Sequence, residues 1–214
     1  MDVRQSFHRT VVETVRHFTG KRITPAEIHR WKNRGGFNDD WTLSTALVQS
    51  LGFKNSYDEV KQKFQEIYWG DGISGNVRRE RWLLPKPSLK RLGRRAELSL
   101  FTGRIRKELD YTLDRLGVRS SFIRIVTVED VKRPKPDPEG LELILGGRDP
   151  AAALYLGDNV DDARASQSAH VPFVGILPYR SEARKQHAES LSQLGARTIL
   201  GSVLQLERWL DQQT

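Results

Sequence analysis

The sequence predicts an α/β protein, a parallel sheet with helices on both faces, preceded by a wholly helical segment. Three observations carry this expectation. From about Pro85 onward, short apolar runs alternate with amphipathic stretches of helical period. Before that point apolar residues recur three or four apart, the spacing of one helix face. In the second part the polar motifs follow directly on the apolar runs. That places them at the carboxyl ends of strands, where sheets of this kind bind ligands.

The first part, residues 1–84, is read as four helices. Val3, Phe7, Val11, Val15 and Phe18 line one face of the first. Thr24-Pro25-Ala26-Glu27 starts the second: Thr as cap, Pro at the first helical position, and Glu27 placed for a capping box. The loop 33–40 leads to a third helix from about Trp41 to Leu51, and a fourth runs from about Tyr57 to Tyr68. Gly70, Gly72 and Gly75 then mark a connection.

The second part, residues 85–214, gives strands at about Glu97–Phe101, Phe122–Thr127, Ala152–Leu156, Pro172–Ile176 and Arg197–Leu200. Between and around them the period changes to helical at about Leu89–Arg95, Arg106–Leu116, Pro138–Leu145, Val160–Ala169, Ser181–Leu194 and Val203–Leu210.

Composition limits the function classes. Of 214 residues, 37% are hydrophobic and 29% charged, the balance of an ordinary globular chain. No apolar run reaches the roughly 18 residues of a membrane span, so no membrane association is expected. The chain has no cysteine, which excludes disulfides, thiolate catalysis and cysteine-ligated metals, and a reducing cytoplasm fits. Much of the net charge of +8 comes from Arg78, Arg79, Arg81, Lys86, Lys90, Arg91, Arg94 and Arg95, against which the stretch itself sets only Glu80. With no interleaved aromatic residues this reads as a solvated face, and nucleic acid is not the expected partner. Nothing in the composition bears on oligomeric state.

Three clusters follow strands. In Leu98-Ser99-Leu100-Phe101-Thr102-Gly103-Arg104, a hydroxyl and a glycine lie between a strand and a helix, a place for an anion; a Thr that merely caps a helix gives the same pattern. In Lys132-Arg133-Pro134-Lys135-Pro136-Asp137-Pro138, alternate prolines hold Lys135 on an extended segment. A rigid ammonium suits a phosphate or carboxylate, and a solvated lysine in a proline-rich turn is the other reading. In Leu154-Tyr155-Leu156-Gly157-Asp158-Asn159-Val160-Asp161-Asp162-Ala163, an apolar strand runs into three carboxylates within five residues. Gathering like charges there is costly without a cation or hydrogen bonds. A helix amino terminus accounts for Asp161; oxygen ligation of Mg²⁺ suits Asp158 better.

In order and spacing, Thr102-Gly103-Arg104, Lys135-Pro136-Asp137-Pro138 and Gly157-Asp158-Asn159-Val160-Asp161-Asp162 resemble the second, third and fourth motifs of the haloacid dehalogenase-like (HAD) superfamily. The resemblance implies a three-layer Rossmann-like core with a helical cap inserted after the first strand. It implies hydrolysis of a small phosphate monoester through an aspartyl-phosphate. Thr102, Gly103, Arg104 and Lys135 would bind the phosphate, Thr102 and Lys135 would act in catalysis, and Asp158 would ligate Mg²⁺ with Asp162 in or beside its shell.

The first motif of that family, Asp-x-Asp-Gly on a central strand, does not occur before residue 85. Met1-Asp2-Val3-Arg4 resembles the segment just after it. Either the start lies too late or the chain is a degenerate relative; retention of Thr102, Lys135, Asp158 and Asp162 favours the first. Residues 1–214 are therefore expected to show little phosphatase activity. A gap in the sheet between the strands ending at Phe101 and Leu156, or poor stability, is expected. A non-catalytic anion-binding module is the alternative function, and nucleic-acid binding a weaker one. In the cap, Lys32, Arg34, Asn38 and Asp39 are the candidates for choosing the substrate, although Asp40 capping the next helix explains the loop nearly as well. Trp31, Trp41 and Trp69 read as core, and the five histidines lack ligand spacing.

Overall fold

A computed structural model describes every residue except Val3, Asn38, Gly72, Ile73, residues 179–181 and Thr214. The expected reach of the first helix to Val3, the candidate Asn38 and the helix start at Ser181 thus fall outside the described residues. The chain divides into two compact units, residues 1–82 and 83–214. Among the described residues no helix is long and apolar enough to cross a membrane.

The first unit is helical. A single π-type turn at Arg4–His8 runs into α1 (Arg9–Thr19), followed by α2 (Pro25–Lys32), α3 (Asp40–Ser50) and α4 (Tyr57–Trp69). The start of α2 is the capping box read from the sequence: Thr24 Oγ1 accepts from the Glu27 amide, and the Glu27 carboxylate accepts from the Thr24 amide. Ser56 and Glu59 repeat the device at α4. The helices enclose a core that includes Phe7, Val11, Leu43 and Phe64, with Trp31, Trp41 and Trp69 packed against it, as their spacing suggests. Several polar groups inside it are paired. Tyr68 Oη donates to buried Glu80 at 2.9 Å, and Asn76 Nδ2 donates to Thr10 and Glu13 at 3.2 and 2.8 Å. The two ends of the unit meet, because Asp2 and Arg81 form an antiparallel bridge with N···O distances of 2.8 and 3.4 Å.

The second unit alternates strand and helix: α5 (Lys86–Arg95), β1 (Ser99–Phe101), α6 (Arg106–Leu116), β2 (Arg124–Val126), α7 (Glu139–Leu145), β3 (Tyr155–Gly157), α8 (Val160–Ser168), β4 (Phe173–Ile176), α9 (Glu182–Gln193), β5 (Ala196–Leu200) and α10 (Leu206–Asp211). All strand pairs are parallel, as expected for crossovers through helices. The strands form two pieces. One is β1-β2, with Leu100 opposite Ile125; the other is β3-β4-β5, with Leu156 opposite Val174. The division falls between the strands carrying Phe101 and Leu156, where the sequence reading lacks a strand.

The basic stretch finds acidic partners far along the chain. Arg91 makes a two-point contact with Glu207 at 2.8 and 2.7 Å, and Arg95 meets Asp211 at 2.6 Å, so α10 is held to α5. Both pairs are largely exposed, so solvent and salt screen them and they contribute little to stability.

Gly75 is a point of close approach: a Cβ there would lie 2.0 Å from the Trp69 carbonyl oxygen. Backbone cannot step aside as a flexible side chain does, so Gly75→Ala is expected to cost about 3 kcal/mol. Urea unfolding followed by tryptophan fluorescence measures this, and an unchanged midpoint would refute the packing described.

Candidate functional site

The three motifs converge at the carboxyl ends of β1 and β3 in the second unit. After β1, the Thr102 amide donates to Val126 O at 3.0 Å, pinning the turn to the neighbouring strand. Thr102 Oγ1 accepts from the Arg104 amide at 3.2 Å, and Thr102-Gly103-Arg104 forms a bend rather than a helix start. The helix begins only at Arg106, with Ile105 as its cap. The helix therefore starts where the sequence period places it, at about Arg106. Arg104, expected at the phosphate, turns its guanidinium along α6 to Glu108 O and Thr112 Oγ1 at 3.1 and 3.3 Å.

Lys135 is held by its segment and by what surrounds its tip. The prolines restrict the backbone, and the Glu139 carboxylate accepts from the amides of Lys132 and Arg133 at 3.0 and 2.9 Å. Those two amide bonds hold the Glu139 carboxyl below its ordinary pKa. The Lys135 ammonium lies 2.6 Å from Asp162 Oδ1, donates to Tyr155 Oη at 3.2 Å, and sits 4.7 Å from the centroid of the Phe101 ring. The two charged side chains are 6% and 7% exposed. In so dry a place the pair is held to its geometry, since either charge alone would be costly.

Asp162 owes its position to the start of α8. Asn159 caps that helix, its Oδ1 accepting from the Asp161 amide at 3.1 Å, while Asp162 Oδ2 accepts from the amides of Asp158 and Asn159 at 3.2 Å each. Oδ1 accepts from Lys135 and, at 2.9 Å, from Tyr155. Burial raises the Tyr155 pKa well above the usual tyrosine value, and the Asp162 charge adds to this, so the phenol stays a donor. Gly157 makes room for the arrangement: a Cβ there would lie 2.5 Å from the Asp162 Cβ. Asp158, by contrast, is exposed.

The two carboxylates differ in what they can offer Mg²⁺. Asp158 fits as one exposed carboxylate at a strand end, and Mg²⁺ takes one or two from a protein. Asp162 does not fit as a direct ligand, because both its oxygens are taken by four donors from the protein itself. Among the described residues no group of three or more acids and histidines is placed to hold a metal ion.

Sequence reasoning brought Thr102, Gly103, Lys135, Asp158 and Asp162 to one region, but missed Tyr155 and Phe101, whose rings close around Lys135. Residue alternation carried a signal, since Tyr155 shares a strand face with Gly157 and so looks toward α8. In the first unit, the candidates of the loop after α2 serve that unit's own packing. Lys32 meets Asp40 at 2.9 Å, Arg34 lies 4.8 Å from the centroid of the Trp31 ring, and Asp39 caps α3. Asp39, rather than Asp40, accepts from the Trp41 and Thr42 amides.

Parts of this chain are similar to known proteins. Residues 86–176 match the family model of haloacid dehalogenase-like hydrolases. The chain is 31% identical over 215 residues to an imidazoleglycerol-phosphate dehydratase of Phytophthora nicotianae, covering 93% of this chain and 47% of that one. It is 29% identical over 185 residues to a phosphoglycolate phosphatase of Pseudomonas putida, covering 85% and 62%. In both cases this chain spans less than two thirds of the relative. A haloacid dehalogenase-like protein of Agrobacterium tumefaciens shares the fold, with a TM-score of 0.70 at 16% identity over 97% of this chain and 90% of that one. Over residues 86–176 the α/β unit is thus similar to the haloacid dehalogenase-like hydrolases.

Gly157→Ala should push the first turn of α8 away, at a cost on the order of 2 kcal/mol, and lengthen the Lys135–Asp162 contact. A crystal structure of the variant and its urea midpoint measure both. An unmoved α8 with unchanged stability would contradict the account of Asp162.

Proposed function

We propose that residues 83–214 are the phosphate-handling part of a Mg²⁺-dependent phosphatase acting on a small phosphorylated molecule, with residues 1–82 as its substrate-selecting cap. One observation carries the reading: Lys135 is fixed by Asp162 at the same end of the sheet as Thr102 and the exposed Asp158. The name of the Pseudomonas putida relative, a phosphoglycolate phosphatase, supports a phosphate monoester as the substrate class.

In this reading Thr102 and the Gly103 amide hold phosphate oxygens, and Lys135 offsets their charge. Asp158 would hold Mg²⁺, which supplies further charge neutralisation at the phosphate. Asp162 stands beside that shell as a positioning residue, setting Lys135 and the turn that presents Asp158. Phosphoryl transfer is mostly such positioning and charge stabilisation. Reaction through an aspartyl-phosphate also needs a carboxylate nucleophile, and the Asp-x-Asp-Gly motif that would carry it by resemblance does not occur before residue 85.

Residues 1–214 are therefore expected to bind inorganic phosphate without turning over a substrate, the behaviour of the alternative anion-binding reading as well. Amide shifts at Thr102, Gly103 and Asp158 should saturate at phosphate concentrations on the order of millimolar. Lys135→Met and Thr102→Ala should each weaken the binding roughly tenfold. Hydrolysis of p-nitrophenyl phosphate with Mg²⁺ should stay at background. Shifts elsewhere, or shifts indifferent to both substitutions, would remove the phosphate site. Clear Mg²⁺-dependent turnover would show that the nucleophile lies within residues 1–214.

A further inference from the structure

The phosphate reading leaves Tyr155 without a task, although its hydroxyl touches both members of the buried pair. Three hydrogen bonds close a triangle. Lys135 Nζ donates to Asp162 Oδ1 at 2.6 Å, Tyr155 Oη donates to the same oxygen at 2.9 Å, and Lys135 Nζ meets Tyr155 Oη at 3.2 Å. Proton ownership fixes the direction of each bond. An ammonium has three protons and no acceptor, an ionised carboxylate has acceptors only, and a phenol has one proton. The phenol proton therefore goes to Asp162, and the Tyr155 oxygen receives a proton from Lys135. Two of the three ammonium protons are thus committed inside the protein. One remains.

The aromatic groups around this triangle are themselves confined. The Phe101 ring lies against the ammonium, with Nζ 4.7 Å from its centroid, and attracts the cation without supplying a conventional acceptor. A Cβ on Gly140 of α7 would lie 2.1 Å from Cε2 of that ring, so the absence of a side chain at Gly140 is what lets the ring sit there. Tyr155 is held by its backbone amide, which donates to Pro172 O at 2.8 Å. Its ring meets those of Phe101 and Phe173 at centroid distances of 6.3 and 6.0 Å. It packs against two apolar clusters, one with Leu141 and Ala165, the other with Phe173 and Leu177. A ring packed in this way cannot swing aside, and its oxygen is a fixed acceptor.

From this proton count we infer that Tyr155 is a positioning residue: its oxygen stops rotation of the Lys135 ammonium and leaves a single N–H, in one direction, for a ligand oxygen. Charge neutralisation alone would not need this arrangement. A lysine by itself is a point charge with three rotatable donors, whereas arginine owes its directionality to a rigid fork. Tyr155 and Asp162 together give Lys135 a directionality of the second kind. One oxygen of a phosphoryl group answers one fixed N–H. The inference rests on the phosphate reading for the identity of the ligand, while the state of the ammonium is tested without any ligand.

The test follows the lysine ammonium groups of the full chain by ¹H–¹⁵N correlation, with the Lys135 signal assigned by its loss in Lys135→Met. Bonded and buried protons exchange with water only when their contacts open. Exchange at Lys135 should therefore be slower by roughly tenfold or more than at the exposed Lys86 and Lys90. Tyr155→Phe keeps the ring and removes the acceptor. It should speed exchange at Lys135 by roughly fivefold and weaken phosphate binding by about threefold, less than Lys135→Met does, because the charge stays. Phe173→Leu loosens the packing beside the same ring and spares the hydroxyl. It should lower the urea midpoint and leave both exchange and phosphate binding as they are. Fast exchange at Lys135 in the unsubstituted chain would overturn the inference before any variant is made. So would unaltered exchange in Tyr155→Phe, an equal effect of Phe173→Leu, or, in a chain that binds phosphate, equal binding by Tyr155→Phe. Slow exchange that Tyr155→Phe releases, in a chain that binds no phosphate, upholds the role of Tyr155 and overturns the phosphate reading instead.

Discussion

The pairing of Lys135 with Asp162 is the interaction on which the second unit's site depends. Lys135 belongs to the segment leading into α7, the helix laid on β1 and β2, and Asp162 to the first turn of α8, laid on β3 and β4. The two pieces of sheet share no strand-to-strand hydrogen bonds among the described residues. A buried ion pair at 2.6 Å, with Tyr155 bonded to both partners, therefore joins halves that backbone pairing leaves apart. Its dryness makes it specific, because moving either partner strands a charge away from water.

The same pair divides the labour among the acidic residues. Asp162 gives one oxygen to Lys135 and Tyr155 and the other to the amides of Asp158 and Asn159, so it serves at once as helix cap, counter-ion and brace for the turn. Asp158, on that turn, is exposed and directed by a backbone that Asp162 holds. A chemically simple site results: a hydroxyl after β1, an ammonium from the loop before α7, and a carboxylate after β3. Local hydrogen bonds position each of them, together with long-range contacts from the Thr102 amide to Val126 and from Lys135 to Tyr155 and Asp162.

Local rules made much of this legible beforehand. Thr24 with Glu27 announced α2, and the alternation of apolar runs with helical period located the five strands within a few residues. Asp162 was recognised by its place in a motif, but its partner was not, since nothing in the local sequence says that Lys135 returns to it from 27 residues away. Phe101 and Tyr155 were read as strand residues only; their role around Lys135 depends on two strands brought together by tertiary structure. Arg104 beside a glycine suggested an anion site, whereas in the fold it satisfies acceptors on α6. The basic stretch lacks local acidic partners because Glu207 and Asp211 lie 116 residues beyond the arginines they meet. Short-range patterns fix caps and periods; charge partners belong to the fold.

A double-mutant cycle of Lys135→Met and Asp162→Asn, read by urea unfolding, tests this account most directly. The buried contact should give a coupling energy of about 2 kcal/mol, with the double variant more stable than the sum of the single losses implies. A coupling within ~0.5 kcal/mol of zero would mean that the two side chains act independently, and the convergence described for the site would not hold.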